Sequence, residues 1–387
     1  MFFQTRLLYN ATGKARRFAS LRESNNLNQR EQVEINYKKI AKVTAISVCV
    51  LVVLFAAFVG WVYLSTHQPD QVESATLTNR EYAPLVPQGE KIKILNWNVQ
   101  FMAGKGYYFY YEGGSDTRPT SEDIIRTTEE VTRVIKEENP DIILLQEVDD
   151  GAKRTDHEDQ LNNLLARLPD DYGSHASAFY WKAAFSPHPK ILGSVGMKLS
   201  VISRYKIESA VRYQLALKPD NWFVRQFDLK RAVLEVVLPR DSAKDLVVFN
   251  THLTAFAFGS DVRSRQVEEI KSLLNEKSSN GNPWVIGGDF NLEPPGPKVE
   301  RKGSEVIKPL FDEYRAVPGY EEVNGASPED WYTHFPNDPD IKSPNKTIDY
   351  FFLSDNLSLG EHYVRQEDTL DISDHLPVIA EVSLPGT

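Results

Sequence analysis

Residues 43–64 read VTAISVCVLVVLFAAFVGWVYL, twenty-two consecutive positions without a charge. At ~1.5 Å per residue a helix over this run is about 33 Å long, enough to cross the hydrocarbon core of a bilayer. Trp61 and Tyr63 fall near one end, where interfacial aromatic rings belong. The run is too long and starts too late for a signal peptide, and a buried core helix of this length would carry polar positions. The sequence therefore predicts a transmembrane helix over 43–64. It divides the chain into a basic tail (1–42), a linker (65–90) and a folded domain (91–384).

Charge orients this arrangement. Residues 1–42 hold nine Lys or Arg and three Asp or Glu, with Lys38, Lys39 and Lys42 directly against the span. The positive-inside rule keeps that tail cytoplasmic. Residues 65–387 then lie beyond the membrane, in a periplasm, an organelle lumen or at a cell surface. Of the chain's 44 basic and 54 acidic residues, the remainder keeps 35 and 51, a net charge of −16. Such a balance disfavours a surface built to grip nucleic acid, though it leaves room for a small basic pocket. The single cysteine, Cys49, lies within the span, so the exported part has no disulfides. Asn345-Lys346-Thr347 and Asn356-Leu357-Ser358 match the glycosylation pattern. No protein partner is readable.

Residues 65–90 are polar, contain three prolines and show no apolar period, which reads as a stalk. From Lys91 onward apolar strands alternate with amphipathic helices. Strands are predicted at Ile92–Trp97, Asp141–Gln146, Val195–Ser203, Arg231–Leu238, Leu246–Phe249, Trp284–Gly288, Ile348–Leu353 and Leu376–Val382. Helices are predicted around Ile124–Ile135, started by Thr120 and Asp123, around Leu161–Leu168, and around Val262–Leu274. No repeat or low-complexity tract interrupts the series. One α/β domain accounts for it.

Five short motifs fall at the predicted strand ends: Asn96-Trp97-Asn98, Leu145-Gln146-Glu147, Asn250-Thr251-His252, Gly287-Gly288-Asp289-Phe290-Asn291 and Ser373-Asp374-His375. An amide oxygen from Asn98 with the Glu147 carboxylate suits Mg²⁺, which retains several waters. Read singly, Asn98 is equally a turn residue and Glu147 a helix-start charge. Asp289 and Asn291, two apart in extended chain, point to one face. There a carboxylate can orient or deprotonate a water and an amide can donate to a phosphoryl oxygen, although the same five residues also make a plausible turn. His252 and His375 are the candidate proton carriers, with Asp349 a partner to orient His375. The remaining six histidines have no such context.

This ordered set resembles the endonuclease/exonuclease/phosphatase superfamily, the deoxyribonuclease-I-like fold, over roughly Lys91 to Val382. The resemblance implies two packed β-sheets flanked by helices. It implies a metal site at Asn98 and Glu147, with Asp374 as a further ligand, occupied by Mg²⁺ or Mn²⁺. Asp289 and Asn291 take the places of a water-activating aspartate and a phosphate-contacting asparagine. His252 and His375 stand for the two catalytic histidines, and Asp349 for the aspartate supporting the second. Arg231 sits where some members place a phosphate-contacting arginine, with Arg225 and Arg204 as competitors. The implied reaction is hydrolysis of a phosphate ester by in-line attack of water.

The superfamily does not fix the substrate. The anchor and the acidic charge favour a membrane lipid, hydrolysed as a sphingomyelinase-like phosphodiester. Aromatic runs at Tyr107–Tyr111, Phe179–Trp181 and Phe256–Phe258 either dock at a lipid interface or pack in the core. The alternatives are a membrane-tethered nuclease, a phosphomonoesterase, or a non-catalytic adaptor.

Overall fold

The computed structural model describes residues 4–110, 112–257, 259–296 and 303–385. It separates into two units, residues 1–64 and 65–387. The described residues of the first form a continuous helix, α1 (Gln4–Ser65), that takes in the basic tail from Gln4 and the apolar run. By length and composition it is able to cross a membrane.

The second unit contains fourteen strands among its described residues. In chain order they are β1 (Val72–Ser74), β2 (Thr76–Thr78), β3 (Lys91–Asn98), β4 (Ile142–Asp149), β5 (Ser174–Ser186), β6 (Gly193–Ser203) and β7 (Ser209–Gln214). These are followed by β8 (Ala232–Leu238), β9 (Leu246–His252), β10 (Trp284–Asp289), β11 (Arg315–Val317), β12 (Asp349–Leu353), β13 (Ser358–Val364) and β14 (Val378–Ser383). They form two seven-stranded sheets, ordered β13-β14-β3-β4-β6-β5-β2 and β1-β7-β8-β9-β10-β12-β11. Each sheet has one parallel pair, β3/β4 and β9/β10; the other pairings are antiparallel.

A parallel pair needs a crossover, and the two longest helices of this unit supply them. Helix α2 (Ser121–Glu138) joins β3 to β4, and α3 (Gln160–Leu165) packs beside it. After the short turn α4 (Trp222–Arg225), helix α5 (Val262–Ser279) joins β9 to β10. Thr120 starts α2 as expected, its hydroxyl accepting from Asp123 N, and a left-handed Asn139 ends it before Pro140.

Strand alternation sends neighbours to opposite faces. Ile94, Leu144, Val248 and Val285 fill the layer between the sheets. Leu95, Trp97, Ile143 and Leu145 pack instead under α2 and α3, and Phe249, Trp284 and Ile286 pack under α5. The expected sandwich flanked by helices is the observed one.

The predicted stalk is not a stalk. Thr66 bridges Ala183, β1 pairs with β7, β2 pairs with β5, and Val86 bridges Arg240. Residues 65–90 thus line an edge of both sheets. Their strands, Val-Glu-Ser and Thr-Leu-Thr, are three residues long and mostly polar, so no apolar period betrays them. Strand β5 was also not predicted, because two register shifts, at Phe179/Trp181 and Ala183/Ser186, break its alternation.

Candidate active site

The two parallel pairs end at the same edge of the sandwich. Asn98 closes β3, His252 closes β9 and Asp289 closes β10, while Asp349 opens β12 directly opposite Asp289. Open α/β sheets likewise collect ligands at the carboxyl ends of parallel strands.

Glu147 reaches this edge through a distortion. Its φ is +57°, and the β4/β6 register shifts between Leu145 and Val148. A buried amide network bridges the sheets at this point. Asn250 Nδ2 donates to the carbonyls of Leu145 and Ser200, both at 2.9 Å, the pair that flanks the irregularity. Gln146 Nε2 donates to Asn250 Oδ1 at 2.7 Å and to Asn96 Oδ1 at 2.8 Å, and Asn96 Nδ2 reaches Gly288 O at 3.3 Å. The first or middle residues of four motifs therefore hold the sheets together, while Glu147, His252, Asn291 and His375, the last residues of theirs, line the cleft. Gly288 is required by the closeness of β9 within its own sheet: a Cβ there would lie 2.1 Å from Thr251 O.

Asp289 is the hub of the site. Its Oδ1 accepts from Asn291 N at 2.9 Å. Its Oδ2 accepts from Asn291 Nδ2 at 3.1 Å and Asn98 Nδ2 at 3.2 Å, and lies 3.1 Å from His252 Nε2 and 3.7 Å from His375 Nε2. His375 Nδ1 lies 2.9 and 3.1 Å from the two Asp349 oxygens. Burial opposes charge on His375, yet Asp349 and Asp289 outweigh it and hold its pKa well above the ordinary value. His252 is driven the other way, first by burial and then by the positive charges of Arg231 and His375. A neutral His252 donating from Nε2 to Asp289 and accepting at Nδ1 from Tyr180 OH, 3.3 Å away, satisfies both ring nitrogens.

Burial raises Asp289 to about 7, with His375 acting against it. Asp374 rises to about 8, again through burial, opposed by His375 and assisted by the negative charges of Glu112 and Glu147. Glu112, Glu147 and Asp374 line one cleft of about 260 Å³ together with Asp289, Asn291 and both histidines. Glu112, Glu147 and Asp374 bring to this cleft hard oxygen donors of the kind a divalent cation takes. Asp374 is also grouped with His334 and His375, their ligand atoms lying within 4.8 Å of one another.

Two expected roles take a different form. Asn98 turns its Nδ2 to Glu147 Oε1 and Asp289 Oδ2, both at 3.2 Å, while its Oδ1 accepts from Gln100 N. It presents a donor to the carboxylates rather than an oxygen to an ion. Arg231, expected on the phosphate, is buried with its guanidinium 5.3 Å from the Tyr180 ring and does not line the cleft. Of its competitors, Arg204 pairs with Asp171 at 2.9 Å, and Arg225 belongs to the exposed turn α4.

The sequence reading missed several residues of the site. Gln100 Oε1 accepts from Asp374 N at 3.1 Å, and its spacing two beyond Asn98 was the available signal. Tyr180 and Glu112 carry no such signal. His334 lies with its ring centroid 4.8 Å from that of His375 through a backbone bridge invisible in sequence, and Arg263 and Lys346 line the same cleft. Of the aromatic runs, Tyr107–Tyr110 and Phe179–Trp181 pack inward, whereas Phe256 is 47% exposed and lines the cleft. Tyr107 OH donates to Asp123, Phe109, Tyr180 and Trp181 are buried, and Tyr110 stacks on Trp181. Tyr111 and Phe258 lie outside the described residues.

Two packed mixed sheets with carboxylates, amides and imidazoles gathered at one edge define a class, the phosphoester hydrolases of sandwich architecture. The chain belongs to the Endonuclease/Exonuclease/phosphatase family, whose model matches residues 95–375. It is similar in fold to the endonuclease/exonuclease/phosphatase from Beutenbergia cavernae, with 21% identity over 76% of this chain and 72% of that one, and a TM-score of 0.54. It is also similar to the human Nocturnin catalytic domain, solved with a bound sulfate anion, with 19% identity over 80% and 97% of the two chains and a TM-score of 0.50. A Leptotrichia buccalis family protein matches at 17% identity over 76% and 100%, also with a TM-score of 0.50. Comparison with curated protein sequences found no match.

Proposed function

We propose that this chain is a membrane-anchored, divalent-metal-dependent phosphodiesterase with its catalytic domain outside the cytoplasm. The observation that carries the chemistry is the Asp289 hub, with His252 Nε2 at 3.1 Å and His375 Nε2 at 3.7 Å, in one cleft with the carboxylates of Glu147 and Asp374. Glu147 and Asp374 would hold Mg²⁺ or Mn²⁺, with Asn98 orienting Glu147. The ion supplies charge neutralisation for the phosphoryl group in the transition state. Asp289, ionised, takes the proton of the attacking water, and Asn291 fixes that carboxylate through its N–H and Nδ2. His375, kept charged and aligned by Asp349, donates toward the phosphoryl oxygens or the leaving oxygen. Arg231 acts from behind, adding to the burial that lowers the pKa of His252.

A lipid phosphodiester is the leading substrate class, supported by the apolar run and the acidic charge of residues 65–387. The inward packing of Tyr107–Tyr110 withdraws the third argument for it. Arg263 and Lys346, which line the cleft and have no ion pair among the described residues, favour a second reading, a polyanionic nucleic acid.

The test is Mg²⁺-dependent hydrolysis by the full chain of sphingomyelin, plasmid DNA, bis(p-nitrophenyl) phosphate and p-nitrophenyl phosphate. Phosphocholine release abolished by EDTA supports the lipid reading, and plasmid nicking supports the second. Asp289→Asn and His375→Ala are expected to lower turnover roughly 10²–10⁴-fold with the fold intact. Near-normal rates in either variant, or EDTA-resistant turnover, overturn the proposal.

A further inference from the structure

Three consecutive large apolar side chains stand on the surface of the second unit: Trp222, Phe223 and Val224, at 52%, 37% and 43% exposure. They form the turn α4, which is built rather than loose. Asn221 Oδ1 accepts from Val224 N at 3.0 Å, Gln226 Nε2 donates to Trp222 O at 2.9 Å, and Arg225 Nε donates to Asp220 O at 2.6 Å. Below the turn, Phe227 packs edge-on against Phe223 at 5.3 Å, and its carbonyl accepts from Trp181 Nε1 at 2.9 Å. A rigid base that displays Trp, Phe and Val outward marks a contact surface, since soluble faces rarely group such residues.

Its place in the chain indicates what covers it. Gln226, at the foot of the turn, accepts from Gln68 Nε2 at 2.6 Å, and His67 N donates to Lys182 O at 2.9 Å. The turn is therefore fastened to the segment that directly follows the apolar run ending at Leu64. Gln68 is only four residue steps beyond Leu64, a reach of at most ~14 Å when extended. Lys182 and Arg225, both exposed, flank the turn with positive charge. The loop carrying α4 also borders the cleft. Lys218 and Asp228 share a shallow depression with Phe256, a 47% exposed ring that lines the cleft itself.

We propose that Trp222, Phe223 and Val224 dock in the interfacial layer of the bilayer that carries the chain's own anchor, setting the lip of the cleft at Phe256 against the lipid surface. The inference rests on the membrane-anchored reading and deepens it. Aromatic rings favour the headgroup layer, and flanking cations favour anionic lipid, so one turn and one helix give two points of attachment. A cleft held this way receives its phosphodiester from the membrane plane.

The single native cysteine makes the test direct. The full chain, with Cys49→Ser and Val224→Cys bearing a nitroxide label, is reconstituted in phosphatidylcholine/phosphatidylserine vesicles. The control label is Ser279→Cys, at the end of α5 remote from the cleft. Docking is expected to raise the ratio of oxygen to nickel-complex collision rates at residue 224 about threefold over residue 279. Trp222→Cys supplies a second label site if the Val224 variant does not fold. Equal ratios at the turn and at residue 279, in vesicles that carry the protein on flotation, overturn the docking and leave the anchor standing. Failure to float overturns the anchored reading itself, and the docking falls with it.

Discussion

Replacing Asn250 with alanine tests whether the amide network shapes the site. Its Nδ2 serves two carbonyls, Leu145 O and Ser200 O, and its Oδ1 receives Gln146 Nε2. Asn250 and Gln146 have no exposed surface. Each such bond contributes about 1 kcal/mol net, and a buried group left without a partner costs about 1–3 kcal/mol. Gln146 keeps Asn96 as an acceptor, so the stranded groups are the two carbonyls. The sum is a loss of about 3–5 kcal/mol. At about 2 °C per kcal/mol for a domain of this size, thermal melts should show Tm falling by roughly 6–10 °C. The same bonds flank the distorted Glu147, so half-saturating Mg²⁺ for phosphodiester hydrolysis should rise about 10–100-fold, as when groups supporting a metal ligand are removed. Asn250→Asp keeps the acceptor but points a carboxylate at two carbonyls, and should be at least as damaging. A Tm shift under about 2 °C with unchanged Mg²⁺ dependence would show that the network neither holds the sheets nor positions Glu147.

Asp374 gives a pH signature in metal-free protein. Its carboxyl is raised from 3.8 to about 8, so the folded chain binds that proton more tightly than the unfolded one. The resulting penalty grows as pH rises from about 4 to about 8. In EDTA, Asp374→Asn should melt higher than wild type at pH 8, with the gap closing toward pH 4; adding Mg²⁺ should restore the wild type but not the variant. Gly288→Ala would place Cβ against the Thr251 carbonyl and disturb the register that sets His252 beside Asp289. Circular dichroism should show a folded protein destabilised by about 2 kcal/mol or more, and hydrolysis should fall at least about tenfold. Arg154 is bonded to Asp149 at 2.8 and 2.9 Å with its guanidinium 3.5 Å from the Phe101 ring centroid. Arg154→Met strands the buried Asp149 and should cost about 3–5 kcal/mol in denaturant titrations, whereas replacing both residues by apolar ones should cost less.

The sandwich was readable because its central strands are apolar runs and its crossover helices carry a 3.6-residue period. Asn98, Glu147, His252 and Asp289 could be picked out because each ends or follows such a run, and His375 because it directly precedes one. Asp349 and Asp374 were reached through their neighbours in the motifs. What stayed hidden depends on pairings between distant segments. Tyr180 meets His252 only through the fold, and His334 meets His375 across a single bridge. Arg231 shows the opposite failure: the family resemblance put it on the phosphate, but it is buried with its guanidinium 5.3 Å from the Tyr180 ring. The inter-sheet amides were in plain view as the first or middle letters of the motifs. Their meaning came from register, which no local pattern encodes.

The segment at 65–90 also bears on how this domain can be handled apart from its helix. β1 and β2 cover the outer sides of β7 and β5, which would otherwise offer unpaired N–H and C=O groups to another chain. A shortened form starting at Lys91, the first residue of β3 and close to the start of the family match, would open both sheets to edge-to-edge aggregation. A form starting at residue 65 keeps those margins closed. The short polar strands thus act as caps on both sheets.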